Sequence, residues 1–124
     1  MSKSAEENGI REAINCYVDG TRAGNVDTLK KGFHEQAILC GYLGDDLIAA
    51  PIQGYYDWVA ENPAPVVIGV PFECRVLAIE VTGRAATATV RETSHGEDVI
   101  DYFHLLKANG HWQIVSKLWD AEPK

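Results

Sequence analysis

Two residues of the C-terminal third are suited to chemistry by type and placement, Asp101 and Lys117. They lie in the stretch Glu97 to Trp119, where two apolar-rich runs flank Lys107-Ala108-Asn109-Gly110-His111. Asn-Gly between such runs marks a hairpin turn, because it supplies positive-φ residues. A three-residue loop Ala108-Asn109-Gly110, with Gly110 left-handed, would set Lys107 opposite His111, Leu105 opposite Gln113, Phe103 opposite Val115 and Asp101 opposite Lys117. One face then carries Val99, Asp101, Phe103, Leu105, Val115, Lys117 and Trp119, and the other Ile100, Tyr102, His104, Leu106, Trp112, Ile114 and Leu118. A carboxylate on an apolar face is costly unless it is paired, so Asp101 is either a pocket group or half of a structural ion pair with Lys117. Apolar burial would keep it protonated and a donor, whereas the ammonium would hold it ionised and an acceptor.

Other candidates gather around this pair. Tyr17 lies on the apolar face of the first helical segment, either as a donor to a ligand or as core with its hydroxyl satisfied locally. His34 follows Phe33 at the expected end of the second helix, where an imidazole can act as a general base or simply cap the helix. Tyr55, Tyr56 and Trp58 share a third helix and could roof a cavity, although at helical spacing at least one must point outward. His104 shares a face with Tyr102 and Trp112, which suits packing or an interface, while His95 and His111 fall in turns. No Cys, His or carboxylate cluster has metal-ligand spacing, and there is no nucleophile elbow or phosphate-binding glycine loop.

The elements that must position these side chains follow from periodicity. A first helix spans about Ala5 to Ala23, burying Ile10, Ala13, Ile14, Tyr17, Val18 and Thr21, with Gly24 as its left-handed cap. Asn25 or Asp27 caps a second helix that buries Val26, Leu29 and Phe33. Ala37 to Tyr42 and Leu47 to Ala49 read as strands, Pro51 starts a third helix, and Asn62-Pro63 ends it. Pro63-Ala64-Pro65 begins a connection to strands at Phe72–Val81 and Arg84–Thr93, followed by the long hairpin. Both hairpin faces are largely apolar, so both need cover, one from helices and the other from a second subunit. The order is that of an α+β fold, a curved antiparallel sheet wrapped by three N-terminal helices.

Composition narrows the function classes. A chain of 124 residues, 46% hydrophobic and 23% charged, has the size and make-up of one globular domain, residues 1–124. Its net charge of -7 disfavours nucleic acid and anionic membranes as partners. The N-terminus lacks a signal-type apolar run and no stretch is long enough to span a bilayer, so the expected location is cytoplasmic. Cys16, Cys40 and Cys74 are widely spaced and read as three buried thiols in a reducing compartment.

The segments GFHEQAILCGY, RVLAIEVTGRAATATV and DYFHLLKANGHWQIVSKLW resemble the putative lumazine-binding branch of the nuclear transport factor 2-like, SnoaL-like superfamily of cystatin-like cones. That superfamily includes ketosteroid isomerase and scytalone dehydratase. The resemblance implies a homodimer through the sheet and a small organic molecule, cyclic or aromatic, bound inside the cone. Tyr17 in Cys16-Tyr17-Val18 and Asp101 in Val99-Ile100-Asp101 match the oxyanion-hole pair of the isomerases. Their catalytic aspartate has no counterpart in Ile38-Leu39-Cys40-Gly41-Tyr42. The resulting expectation is a ligand pocket supporting acid-base chemistry without a cofactor, of isomerase or dehydratase type. Tyr17, Asp101 and His34 would be its catalytic groups, and Tyr55, Trp58, Phe103, Lys117 and Trp119 its ligand contacts. The alternative is a non-catalytic dimeric module whose cone is filled by Trp119, Phe103 and Phe33.

Overall fold

A computed structural model describes residues 2–94 and 96–123. Its first helix, α1 (Lys3–Ala23), begins two residues earlier than expected because Ser2 caps it, accepting from the Ala5 N–H at 3.2 Å. Gly24, at φ 67°, ends α1 in the left-handed conformation. Asn25 then caps α2 (Val26–Gly32) through the Thr28 N–H. The strands β1 (Phe33–Leu43) and β2 (Asp46–Pro51) lead into α3 (Ile52–Glu61), for which Pro51 is the cap rather than the first helical residue. The segment expected to be a plain connection contains a further turn of helix, α4 (Pro65–Ile68), started by Pro65 and stopped by left-handed Gly69. β3 (Phe72–Thr82), β4 (Ala85–Ser94), β5 (Glu97–Ala108) and β6 (His111–Ala121) complete the chain.

The six strands form one sheet in the order β2-β1-β6-β5-β4-β3. All neighbours are antiparallel except β1 and β6, which run parallel, so the expected antiparallel sheet holds one parallel pair. That pairing arises because α3, β3, β4 and β5 intervene between β1 and β6. Irregularities bend the strands: β3 gains a residue between Val76 and Ala78, and the β1–β6 register jumps between Phe33 and Ile38. α1 packs over β3 and β6, and α3 over β1 and β2, so the concave face is the buried one. Its core joins Ile10, Ile14 and Tyr17 of α1 to Phe33, Leu39, Val90, Phe103, Leu105 and Ile114 of the sheet.

The hairpin departs from the expected register in a way that matters for the site. Asn109 and Gly110 both have positive φ, 53° and 79°, which makes a two-residue loop of the primed kind in place of the three-residue one. Ala108 therefore pairs with His111, Lys107 with Trp112 and Leu105 with Ile114. Trp112 and Ile114 are consequently buried on the inner face, not the outer one. An extra residue, Val115, then shifts β6, so that His104 pairs with Ser116, Phe103 with Lys117 and Asp101 with Trp119. The turn and the bulge offset each other, and Lys117 and Trp119 still share the inner face with Asp101. Ile38, Tyr102, Leu106 and Leu118 remain on the outer face, each 45–49% exposed. The three cysteines are free thiols but only part-buried, short of the full burial expected.

Candidate functional site

Asp101 sits at the centre of β5 with Val90 of β4 on one side and Trp119 of β6 on the other. It is fully buried, and neither carboxyl oxygen has a hydrogen-bond partner among the described residues. The Lys117 ammonium reaches it from the Phe103-paired position, 3.4 Å away, a contact between charges longer than a good hydrogen bond. Lys117 is itself buried and lies over two aromatic faces, 4.3 Å from the Trp119 ring centre and 5.1 Å from that of Tyr17.

Glu92 supplies the group that sequence reasoning missed. The Tyr17 hydroxyl donates to its Oε1 in a short hydrogen bond. Glu92 pairs with Val99, so it flanks Asp101 diagonally on the same face. Burial raises the Asp101 carboxyl, Lys117 opposes that shift, and the charge and hydrogen bonding of Glu92 add to it, leaving the group at about 8. Two ionised carboxylates cannot hydrogen-bond to one another, which is why ionised Asp101 has no partner. Once protonated, it can donate to Glu92. A sequence signal was present: Ala86, Ala88 and Val90 alternate as the buried face of β4, and Glu92 is the next residue on it.

Aromatic rings close around the polar group. Phe103, completely buried, meets the Tyr17 ring edge-on at 5.4 Å, and Phe33 and Phe72 do so at 6.1 and 6.2 Å. Tyr55 lies 6.1 Å from Tyr17 and bonds Thr21 through its hydroxyl at 2.6 Å. Burial pushes the Tyr17 and Tyr55 phenols up, and it raises the Cys74 thiol to about 12, so these groups stay neutral. Trp58 stacks on Tyr55 from outside and is 54% exposed, whereas Tyr56 turns inward. The part-exposed Trp119 donates from Nε1 to the Tyr42 carbonyl at 2.9 Å and lies flat against Gly41. Tyr17, Asp101, Lys117, Phe103, Tyr55 and Trp119 therefore converge, with Trp58 at the rim.

His34 does not join them. It belongs to β1 rather than to the end of α2, because Phe33 already pairs with Ile114. Its Nδ1 accepts from the Gln36 N–H at 3.0 Å, and its side chain lines a hollow of about 270 Å³ with Gln36, Leu106 and Val115. A second hollow, about 530 Å³, lies by the start of α1 and the β5–β6 turn. Neither hollow includes Tyr17 or Asp101, where the sequence suggested a cavity. His104 is exposed on the outer face as expected, but without Trp112, and His111 opens β6 instead of lying in the turn. His95 lies outside the described residues.

Helices packed on the concave side of a curved sheet define a cone of the nuclear transport factor 2-like, cystatin-like class. This chain belongs to the family described as "Putative lumazine-binding", whose model matches residues 5–120. It is 30% identical to a nuclear transport factor 2-like protein of unknown function from Methylobacillus flagellatus, over 99% of this chain and 96% of that one, with a TM-score of 0.86. A similar protein from Shewanella baltica is 28% identical over 100% and 99% of the two chains, also at 0.86. Among characterised relatives, Aldolase FrzH of a Cladobotryum species is 26% identical over 98% of this chain and 95% of its own.

Proposed function

We propose that this protein binds a small cyclic or aromatic carbonyl compound beside Asp101 and moves a proton on it without a cofactor. The observation that carries the reading is Asp101 itself, a fully buried carboxyl with neither oxygen hydrogen-bonded. Protonated Asp101 has Glu92 as an acceptor nearby, and its O–H can turn from Glu92 to a ligand carbonyl oxygen. The base missing from β1 is supplied by Glu92, while protonated Asp101 donates to the carbonyl oxygen and Tyr17 holds Glu92 in place. That division gives two neighbouring carboxyls separate duties, one as base and one as acid. Isomerisation, dehydration and aldol chemistry all begin with this proton transfer beside a carbonyl, and the relative named as an aldolase supports the last of these. Tyr55, Phe103, Lys117 and Trp119 contact the ligand, and Trp58 covers the rim. His34 stands apart and acts only in the outer hollow.

The test is proton exchange at the carbon next to the carbonyl of cyclohexanone in deuterated water, followed by NMR. Wild-type protein should accelerate it, and Glu92→Gln should abolish the acceleration with the fold intact by circular dichroism. No acceleration by the wild type for any member of a series of cyclic ketones would refute the reading.

The packing of Tyr17, Phe33, Phe72 and Phe103 around the site favours a second reading, a filled cone serving as a dimeric module. Both readings include a homodimer through the outer face. There Leu118 and Tyr102 sit in one row, paired to each other and flanked by Cys40 and Thr89. Leu118→Lys should yield monomers in sedimentation velocity if that face is the interface.

A further inference from the structure

We propose that Lys117 is a covalent nucleophile that forms an imine with an aldehyde or ketone bound in the cone. The inference rests on the carbonyl-binding reading above and assigns to the lysine a step that acid-base chemistry does not need. Three features of its setting support it. The side chain is only 8% exposed, so its ammonium is poorly hydrated. Two aromatic rings hold its head group in place, with Trp119 and Tyr17 on either side at 4.3 and 5.1 Å. Finally, an acid that can exchange a proton with it stands 3.4 Å away, and that acid makes no other commitment through a hydrogen bond.

A lysine is nucleophilic only as the free amine, and burial in apolar surroundings is one of the ways in which proteins favour that form. From the ionised form of Asp101, transfer of one proton from Lys117 gives a neutral amine and a neutral acid and removes two buried charges together. The amine nitrogen then forms a bond to the carbonyl carbon while Asp101 gives its proton to the carbonyl oxygen, and the nitrogen, now cationic, returns a proton to Asp101, giving a neutral carbinolamine. Loss of that hydroxyl as water, with a proton again delivered by Asp101, leaves the protonated imine. Glu92 can next take the adjacent C–H proton, the electron pair moves into an enamine that attacks a second carbonyl compound, and the oxygen of that carbonyl takes the proton back from Glu92. Water finally hydrolyses the new imine and restores the amine. The other described lysines lack this environment: Lys30 lies over Tyr56 at the surface and Lys107 is paired with Glu6.

The full chain should be incubated with acetylacetone, a 1,3-diketone that condenses with lysine with loss of one water to an imine, which tautomerises to a stable enaminone absorbing in the near ultraviolet. One adduct per chain at neutral pH, located at Lys117 by peptide mass spectrometry, is the expected result. Lys117→Arg, which keeps the positive charge, should abolish it, and because the site of labelling is read on the wild type, the result does not depend on that variant folding. No adduct, or label spread over Lys3, Lys30, Lys31 and Lys107, would overturn the proposal. Proton exchange with cyclohexanone separates the two readings. Exchange without an adduct leaves the acid-base reading standing and removes the imine, whereas an adduct without exchange keeps the nucleophile and removes Glu92 as base.

Discussion

Replacing Asp101 by Asn should change how stability depends on pH more than it changes stability at any one pH. The carboxyl rises from 3.8 to about 8 on folding, chiefly through burial. Between those values the folded state binds more protons than the unfolded one, so stability is highest at the acid end and falls as pH rises toward 8. A full proton difference corresponds to about 1.4 kcal/mol per pH unit, and the shift from 3.8 to about 8 to roughly 6 kcal/mol as an upper bound. The value of about 8 already includes the opposing effect of Lys117, and a loss of about 3–4 kcal/mol between pH 5 and pH 8 is expected relative to the variant. The Asn carboxamide has nearly the same shape and cannot ionise, so other titrating groups cancel in the comparison. Urea unfolding, followed by fluorescence of Trp112 and Trp119 at fixed protein concentration, gives both curves if the slope m is unchanged. The wild type should lose stability relative to Asp101→Asn with each unit of pH. Glu92→Gln, which removes one of the charges raising Asp101, should end that loss at a lower pH. Parallel curves, or a wild type that gains on the variant as pH rises, would show that Lys117 holds Asp101 ionised and would refute the reasoning.

Three further outcomes test the framework around the site. Glu6 is held below its usual range by Lys107 and Trp112, so its contribution is present above about pH 4.5 and is lost as pH falls through its lowered value; Glu6→Gln should lower the melting temperature at pH 7 and flatten its decline in acid. A Cβ on Gly41 would stand 2.3 Å from the Trp119 ring and 2.6 Å from its carbonyl oxygen, so Gly41→Ala should cost about 1–3 kcal/mol in urea unfolding and shift Trp119 fluorescence. Gly110, at φ 79°, has open space around it, so Gly110→Ala meets no clash and should cost about 1–2 kcal/mol through backbone strain alone.

The sequence made β5 legible because its alternation is uninterrupted, and the placement of Asp101, Phe103 and Leu105 on the buried face follows from period two alone. It made α1 legible through Gly24 and the spacing of Ile10, Ile14 and Tyr17. β6 was less so, because a bulge leaves no mark in residue type: Gln113-Ile114-Val115-Ser116 reads equally well with or without an extra residue. The placement of Trp112 and Ile114 failed because the loop holds two residues in place of three, and the direct pairing of Asp101 with Lys117 failed because the bulge adds a second shift to that one. His34 was misplaced because a histidine after Lys30-Lys31-Gly32-Phe33 looks like a helix end, whereas the β1–β6 pairing that makes Phe33 a strand residue joins positions far apart in sequence. Glu92 is the next residue on the buried face after Ala86, Ala88 and Val90, but the polar run Arg91-Glu92-Thr93 carries no apolar alternation to mark it.

The charges inside the cone do not cancel as a purely structural arrangement would require. One lysine faces two carboxyls, so with Lys117 charged a single carboxylate completes the balance and the second carboxyl is neutral only if it keeps a proton. Geometry says where that proton has room to move. Tyr17 already donates to Glu92, whereas Asp101 makes no hydrogen bond and touches the ammonium only at 3.4 Å. A well-packed apolar pair at 101 and 117 would serve stability as well or better, since burying an ion pair gains little over hydrophobic residues of similar volume. Lys117 is instead held over the Trp119 and Tyr17 rings with its ammonium 3.4 Å from Asp101. On the reading proposed above, the chemistry of a bound carbonyl group is the use for that arrangement.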